Sequence, residues 1–265
     1  MFKLVTNKNV SYYKSDIFPN NVNHAFTTRK GGFAPAPLDG LSTGVAQYKE
    51  CLESVIKNRQ LICEILEMDY DKLVMTDQEH TDNVINLDDG FELTENGFIK
   101  STDAVITSKK FLPAMLFFAD CTPVFLYDTK KQVMGLVHAG WKGTVKQITL
   151  KTAKLMVETF NSDPQNIIAA VGPNIGQCCY EVSEDVASEL LQSVPKNFVS
   201  DKIVKYENGK PFVDLKLINA IQLQAYNLKQ VDISDECTAC NVDMFFSHRK
   251  TAGKTGRQSL VAQLT

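Results

Sequence analysis

The chain has 265 residues, 44% of them apolar, with 28 Lys and Arg against 31 Asp and Glu and a formal net charge of −3. That balance leaves no basic footprint for nucleic acid. The N-terminal stretch Met1–Asn9 has no signal-peptide apolar core, and the apolar run Phe111–Tyr127, broken by Pro113, Asp120 and Pro123, is too short for a bilayer, so no membrane role is expected. Seven cysteines, an odd number that includes the adjacent pair Cys178–Cys179, speak against a disulfide framework and for a reducing cytoplasm. The length suits one domain over residues 1–265 with a full core, working as a monomer or weak homodimer.

In chain order, Thr27–Gly32 reads first as a Gly-Gly turn in which Arg29, beside Lys30, is placed either to hold an anion or simply to face solvent. Apolar residues at helical spacing predict an amphipathic helix over Gln47–Met68. The short run Leu73–Met75 leads to His80, which by itself could be an ordinary surface histidine. Val124–Asp128 and Val133–Val137, separated by only four residues, predict an antiparallel hairpin. A helix is expected over Gly143–Phe160, stopped by Asn161–Pro164, and a buried strand over Ile167–Val171, running into the turn Gly172–Gly176. Ser183 is expected to cap a helix from Glu184 to about Val194, Asp214 to open a last helix through Leu228, and Phe245–Ser247 to form a strand leading to Arg249. There is no repeat, linker or low-complexity segment, and the unusual residues gather in loops at strand ends, the pattern of a binding face on a rigid scaffold.

The hairpin carries the chemistry. Pairing Asp128 with Val133 sets Pro123 opposite His138, with Cys121 just beyond, so a thiol and an imidazole meet at one end. A buried, inert thiol is the plainer reading of Cys121. With His80 added, one Cys and two His make the ligand count of a catalytic zinc site that keeps a position for water. Cys237–Cys240 has CxxC spacing, but with no second CxxC or His pair at a suitable distance it reads as two partly buried thiols in a turn. Arg249–Arg257 does not complete a P-loop, because the spacing after its first Gly is wrong.

Thr28–Gly32, Gln78–His80, Asp103–Ala104, Ala119–Pro123, His138–Gly143, Gly172–Val182, Cys237–Thr238, Phe245–Arg249 and Thr255–Arg257, taken in order, resemble the YlmD/YfiH family, the laccase-domain group once called multicopper polyphenol oxidoreductases. The resemblance implies an α+β fold, an α/β/β/α layered sandwich with mixed sheets, and a metal held by His80, Cys121 and His138, zinc with copper as the other option. It also implies purine nucleosides and phosphate as substrates: phosphorolysis of adenosine, inosine, guanosine and methylthioadenosine, and deamination of adenosine. Arg29 is then the first choice for an anion or ribose contact and Arg249 the second, with Asp103 and Glu181 as acid/base options. The sequence departs from the family pattern at Thr81, where Gly is frequent, and at His248, where Tyr is common. Two alternatives remain: a deamidase-like hydrolase in which His138 activates Cys121 as nucleophile, and a copper-dependent polyphenol oxidase, for which four histidines are few.

Overall fold

A computed structural model describes residues 1–45 and 47–265. In chain order the strands are β1 (Phe2–Asn7), β2 (Val10–Ser15), β3 (Val22–Thr27), β4 (Val74–Thr76), β5 (Val84–Asn86), β6 (Phe98–Ile99), β7 (Ala104–Thr107), β8 (Ala114–Phe118), β9 (Thr122–Asp128), β10 (Val133–Ala139), β11 (Ile167–Val171), β12 (Val204–Glu207), β13 (Lys210–Val213), β14 (Gln230–Ile233) and β15 (Gln258–Leu264). The helices are α1 (Leu52–Ile65), α2 (Trp141–Val145), α3 (Ile148–Phe160), α4 (Glu184–Gln192) and α5 (Leu215–Ala225). One mixed sheet runs β1-β2-β3-β15-β8-β4-β6, the second runs β14-β11-β9-β10-β7-β5, and β12-β13 form a separate ribbon.

Period-two alternation in the fully buried strands builds the layers. On β9 and β10, Phe125, Tyr127, Met134 and Leu136 turn toward Phe26, Leu116, Phe118 and Leu260 of the first sheet, forming the core between the sheets. Val124, Leu126, Val133 and Val137 turn the other way, onto Ile148, Ala153 and Met156 of α3 and Ala220 and Leu223 of α5. Residues Ile62 and Cys63 of α1 cover the opposite face of the first sheet, against Val10, Tyr12, Met115 and Val261. The result is the expected α/β/β/α sandwich.

Four local expectations need correction. The first helix is shorter than Gln47–Met68: Lys49–Cys51 is a 3₁₀ turn, and Glu67, at φ 56°, ends the helical path after Ile65. The second divides into α2 and α3 because Gln147 takes a left-handed conformation, φ 60°, while its side-chain amide donates to the Ser193 carbonyl. Ser183 occupies the N-cap position of α4 without a side-chain capping bond, and that helix stops at Gln192. Phe245–Ser247 is no strand: the Gln258 side chain accepts from Phe246 N and donates to Phe246 O, satisfying the backbone that a partner strand would otherwise pair. At Asp214 the cap does form, Oδ1 accepting from Leu217 N at 2.9 Å, although α5 ends at Ala225.

Candidate active site

The β9–β10 register pairs Asp128 with Val133 and Pro123 with His138. His138 therefore shares the inter-sheet face of Met134 and Leu136, and Cys121 lies two residues before Pro123 on the partner strand's approach. His80 arrives on the loop after β4. Its Nε2 lies 3.6 Å from Cys121 Sγ, and its ring centroid is 5.0 Å from that of His138. The three donor atoms all lie within 4.8 Å of one another, with His138 buried, Cys121 half-buried and His80 exposed.

Two residues hold this group in strained backbone. His80 itself has φ 60°, and Asp120, directly before Cys121, has φ 85°; both values are uncommon for non-glycine residues. The fully buried Asp103 carboxylate secures the first bend: Oδ1 accepts from His80 N at 3.1 Å and Oδ2 from both Thr81 N and Thr81 Oγ1 at 2.7 Å. The Asp120 carboxylate secures the second, accepting from Thr238 Oγ1 at 2.6 Å, Ser247 Oγ at 3.1 Å and Arg249 N at 2.7 Å. Gly140 completes the fit, because a Cβ there would lie 2.7 Å from His80 Cδ2 and 3.4 Å from Cys121 Sγ.

Asp103 also fixes the imidazole of His138. Its Oδ1 lies 2.8 Å from Nδ1, so Nε2 is the nitrogen left for the site. Burial opposes charge on both Cys121 and His138, yet each outweighs that cost for the other. His138 and then His80 bring the Cys121 thiol down to about 6, while Cys121 and then Asp103 raise the His138 imidazole to about 9.

The group opens into a cavity of about 540 Å³, within the range of small-molecule sites. Phe98, Phe117, Tyr180 and His248 give it aromatic walls, and Arg59, Arg249 and Arg257 bring guanidinium groups to its lining. Arg59 is held by Nε on the Thr43 carbonyl at 2.7 Å, and its guanidinium carbon is 5.2 Å from the Phe117 ring centroid. Arg249 lies 5.2 Å from the Tyr180 ring centroid and donates to the Glu181 carbonyl. Burial, and then the charge of Cys121, push the Tyr180 phenol well above its ordinary range, so it remains a hydrogen-bond donor.

The structure does not gather every residue singled out in the sequence. Arg29 is not among the cavity-lining residues: it donates to the Val242 carbonyl at 2.9 Å, pairs with Asp39 at 3.4 Å and stacks on Phe246. Among the described residues it is also the only guanidinium in an ion pair. Glu181 pairs with Lys210 at 2.8 Å, and Asp103 is consumed by the hydrogen bonds above, so neither carboxylate is free for acid/base work at the cavity. Sequence reasoning passed over Arg59 and gave no cavity role to Arg257 or Tyr180, although both fall in motifs it singled out. The one available signal for Arg59 was its place on the apolar face of α1, one residue from Asn58 and three from Ile62, where a charged side chain needs a reason.

Residues 23–265 match the family described as "Multi-copper polyphenol oxidoreductase laccase". The chain belongs to this laccase-like family. Its relatives in the family include a protein from Bacillus subtilis named purine nucleoside phosphorylase YlmD, 36% identical over 240 residues, which cover 88% of this chain and 84% of that protein. A Bacteroides thetaiotaomicron protein named purine nucleoside phosphorylase is 30% identical over 97% of both chains. The crystal structure of YlmD from Geobacillus stearothermophilus superposes with a TM-score of 0.89 at 26% identity, covering 98% of each chain. Laccase-like membership thus accords with the layered fold. Among the described residues no helix is long and apolar enough to cross a membrane.

Proposed function

We propose that this chain is a zinc-dependent purine nucleoside phosphorylase that also deaminates adenosine, with substrate bound in the cavity beside His80, Cys121 and His138. One observation carries the reading: a three-donor His/Cys/His group and three guanidiniums that have no carboxylate partner among the described residues share one aromatic-walled cavity. The names of the relatives point the same way.

Two imidazole nitrogens and one thiolate suit zinc, and three protein donors leave a position for water or substrate. The chemistry a zinc ion supplies there is Lewis acidity effective near neutral pH. The remaining demands fall on the chain itself. In phosphorolysis a phosphate oxygen bonds to ribose C1′ as the bond from C1′ to the purine nitrogen breaks, and the electron pair leaves with the base. Arg249 and Arg257 line the cavity and in this reading hold the phosphate dianion, because guanidinium forks match its oxygens. The Tyr180 phenol donates a hydrogen bond where charge builds on the leaving purine. Phe98 and Phe117, backed by Arg59, offer faces on which the base stacks. The same reading takes residues 1–265 as one cytoplasmic domain, a monomer or weak homodimer.

A second reading has one specific support. Cys121, His138 and Asp103 stand in nucleophile–base–orienter order, and the thiol is already depressed to about 6. A copper oxidase is less well supported: His24 is buried in β3, leaving only His80, His138 and His248 at the cavity, short of a multinuclear copper centre. The deciding experiment incubates inosine and adenosine with and without phosphate and measures zinc in the same preparation. Base release from inosine that requires phosphate, conversion of adenosine to inosine that does not, and about one zinc bound through Cys121 support the proposal. Phosphate-independent hypoxanthine release sinks the phosphorylase, and full activity in metal-free protein favours the thiol nucleophile.

A further inference from the structure

The CxxC turn does not stand alone. Cys178 and Cys179, on the loop after β11, meet Cys237 and Cys240 on the loop after β14, and all four sulfurs lie within 4.8 Å of one another. Cys240 Sγ is 3.4 Å from Cys178 Sγ and 3.3 Å from Cys179 Sγ, so one sulfur contacts two others at once without bonding to either. Four thiolates around one zinc at about 2.3 Å would sit roughly 3.8 Å apart, a separation the cluster reaches with small adjustments.

Backbone packs closely around these sulfurs. Gly176 N donates to Cys237 Sγ at 3.2 Å, and a Cβ on Gly176 would lie 3.4 Å from Cys178 Sγ and 3.2 Å from Cys237 Cβ, so the backbone approaches the cluster closely where a side chain would crowd it. Lys216 at the start of α5 is only 6% exposed and donates to the Glu236 carbonyl at 2.7 Å. Burial lowers the pKa of its ammonium, opposed first by the charge of Asp214 and then by Cys237, Asp235 and Cys178. A zinc ion with four thiolates, at a net charge of about −2, would add to the negative charge that Asp214 and Asp235 already set against this ammonium.

We propose that Cys178, Cys179, Cys237 and Cys240 form a second, structural zinc site, separate from the His80–Cys121–His138 group. Four protein ligands close the coordination sphere, so the site binds loops together and does no catalysis. Its position says which loops. Cys179 and Tyr180 both donate backbone N–H to the Gly176 carbonyl, and Thr238, next to Cys237, bonds the Asp120 carboxylate that sets the bend before Cys121. The metal clamps the Tyr180 loop to the Thr238 loop and so stiffens one wall of the cavity.

The test uses the full chain, purified with reductant and without chelator, in a C121A/H138A background that lacks two donors of the first group. Circular dichroism verifies its fold. This protein should retain about one zinc per chain by elemental analysis. Its cobalt(II) form should show intense sulfur-to-cobalt charge-transfer bands, and X-ray absorption of the zinc form should report four sulfur neighbours. Adding C237S and C240S, or C178S alone should these fail to fold, should remove the metal and lower Tm by several degrees. A folded C121A/H138A chain with neither zinc nor cobalt(II) bound overturns the proposal. So does zinc that C178S, C237S and C240S leave unchanged, or an intact mass showing disulfides among these cysteines under the same reducing conditions. Failure of the proposed phosphorylase activity would leave this result untouched, because the background already removes that site.

Discussion

The His80–Cys121–His138 group and the four-cysteine cluster use similar donors but rest on different parts of the fold. Cys121 and His138 flank and end strands in the middle of a sheet, where seven-residue buried runs fix the register. The four cysteines lie on two loops that share one isolated bridge, Asn174 with Cys237. One group has three donors and opens to a cavity; the other has four and faces only protein and solvent. The contrast is one of support: the packed sheet fixes Cys121 and His138 and the Asp103 carboxylate fixes the loop that carries His80, while the cysteine cluster rests on loops alone.

The sharpest way to break that comparison is to remove Cys121. If the sheet alone holds the open site, Cys121→Ala should lower activity by on the order of 10³-fold or more, since a donor of the proposed metal is gone. Melting temperature should stay within a few degrees, because the β9–β10 pairing does not depend on the thiol. Calorimetry beside a nucleoside assay checks both halves. Activity that survives would remove Cys121 from the chemistry, and a large fall in Tm would make it structural.

What was legible follows the same division. The hairpin could be read because register is local: four residues between two apolar runs leave one pairing that places Pro123 against His138. His80 could not be brought in by spacing, because its position depends on the Asp103 carboxylate, 23 residues away, which accepts hydrogen bonds from His80 and Thr81. The cysteine cluster escaped for a related reason. A search for a second CxxC passes over an adjacent pair, and the contact that completes the set spans 62 residues. Arg29 stood out because its neighbours in sequence, Lys30, Gly31 and Gly32, suggest an anion nest, and the fold gives it the Val242 carbonyl from 213 residues away, which no local pattern shows.

A buried imidazole outside both clusters gives a second measure of the sheet's rigidity. His24 on β3 lies 3% exposed among Phe18, Phe26 and Phe125, with Nε2 accepting from Ser15 N. Burial, and then the charge of Lys14, hold its pKa down to about 4 from an ordinary 6.5. The unfolded chain therefore binds the extra proton first. This contribution to stability is fully present above about pH 6.5, declines as pH falls and is gone below about pH 4, a total of roughly 3 kcal/mol. Urea unfolding at pH 7.0, 6.0 and 5.0 should show the decline in wild type and in C121A/H138A alike, and a flatter profile in His24→Asn. Equal slopes with and without His24 would mean that the sheet admits the proton.

Asp103 tests how far the open site depends on support behind its donors. Asp103→Asn keeps the shape, but the amide cannot accept from His80 N, Thr81 N, Thr81 Oγ1 and His138 Nδ1 as the carboxylate does. Metal affinity at the first group should fall about 10- to 100-fold, the usual cost of removing a carboxylate behind a ligating histidine. Competition with a zinc chelator measures it. The four-cysteine site should be unaffected, and an unchanged affinity at the first would show that the strands position His138 unaided.

The smallest expected effect separates the two arginines by location. Arg249 lines the cavity with one guanidinium nitrogen on the Glu181 carbonyl, leaving further donors for phosphate. Arg249→Lys keeps the charge but loses the fork, so the rate at limiting phosphate should fall on the order of tenfold, with less change at saturation. Arg29 lies outside the cavity lining and donates to Val242 and Asp39, so Arg29→Lys should leave phosphate dependence intact and cost about 1 kcal/mol of stability through the lost carbonyl contact. Phosphate titrations of both variants decide the matter. A tenfold loss in Arg29→Lys with wild-type behaviour in Arg249→Lys would mean that the Thr27–Gly32 loop turns into the cavity when substrate binds, and the anion would then be held by the first sheet instead of by the loop that Asp120 anchors.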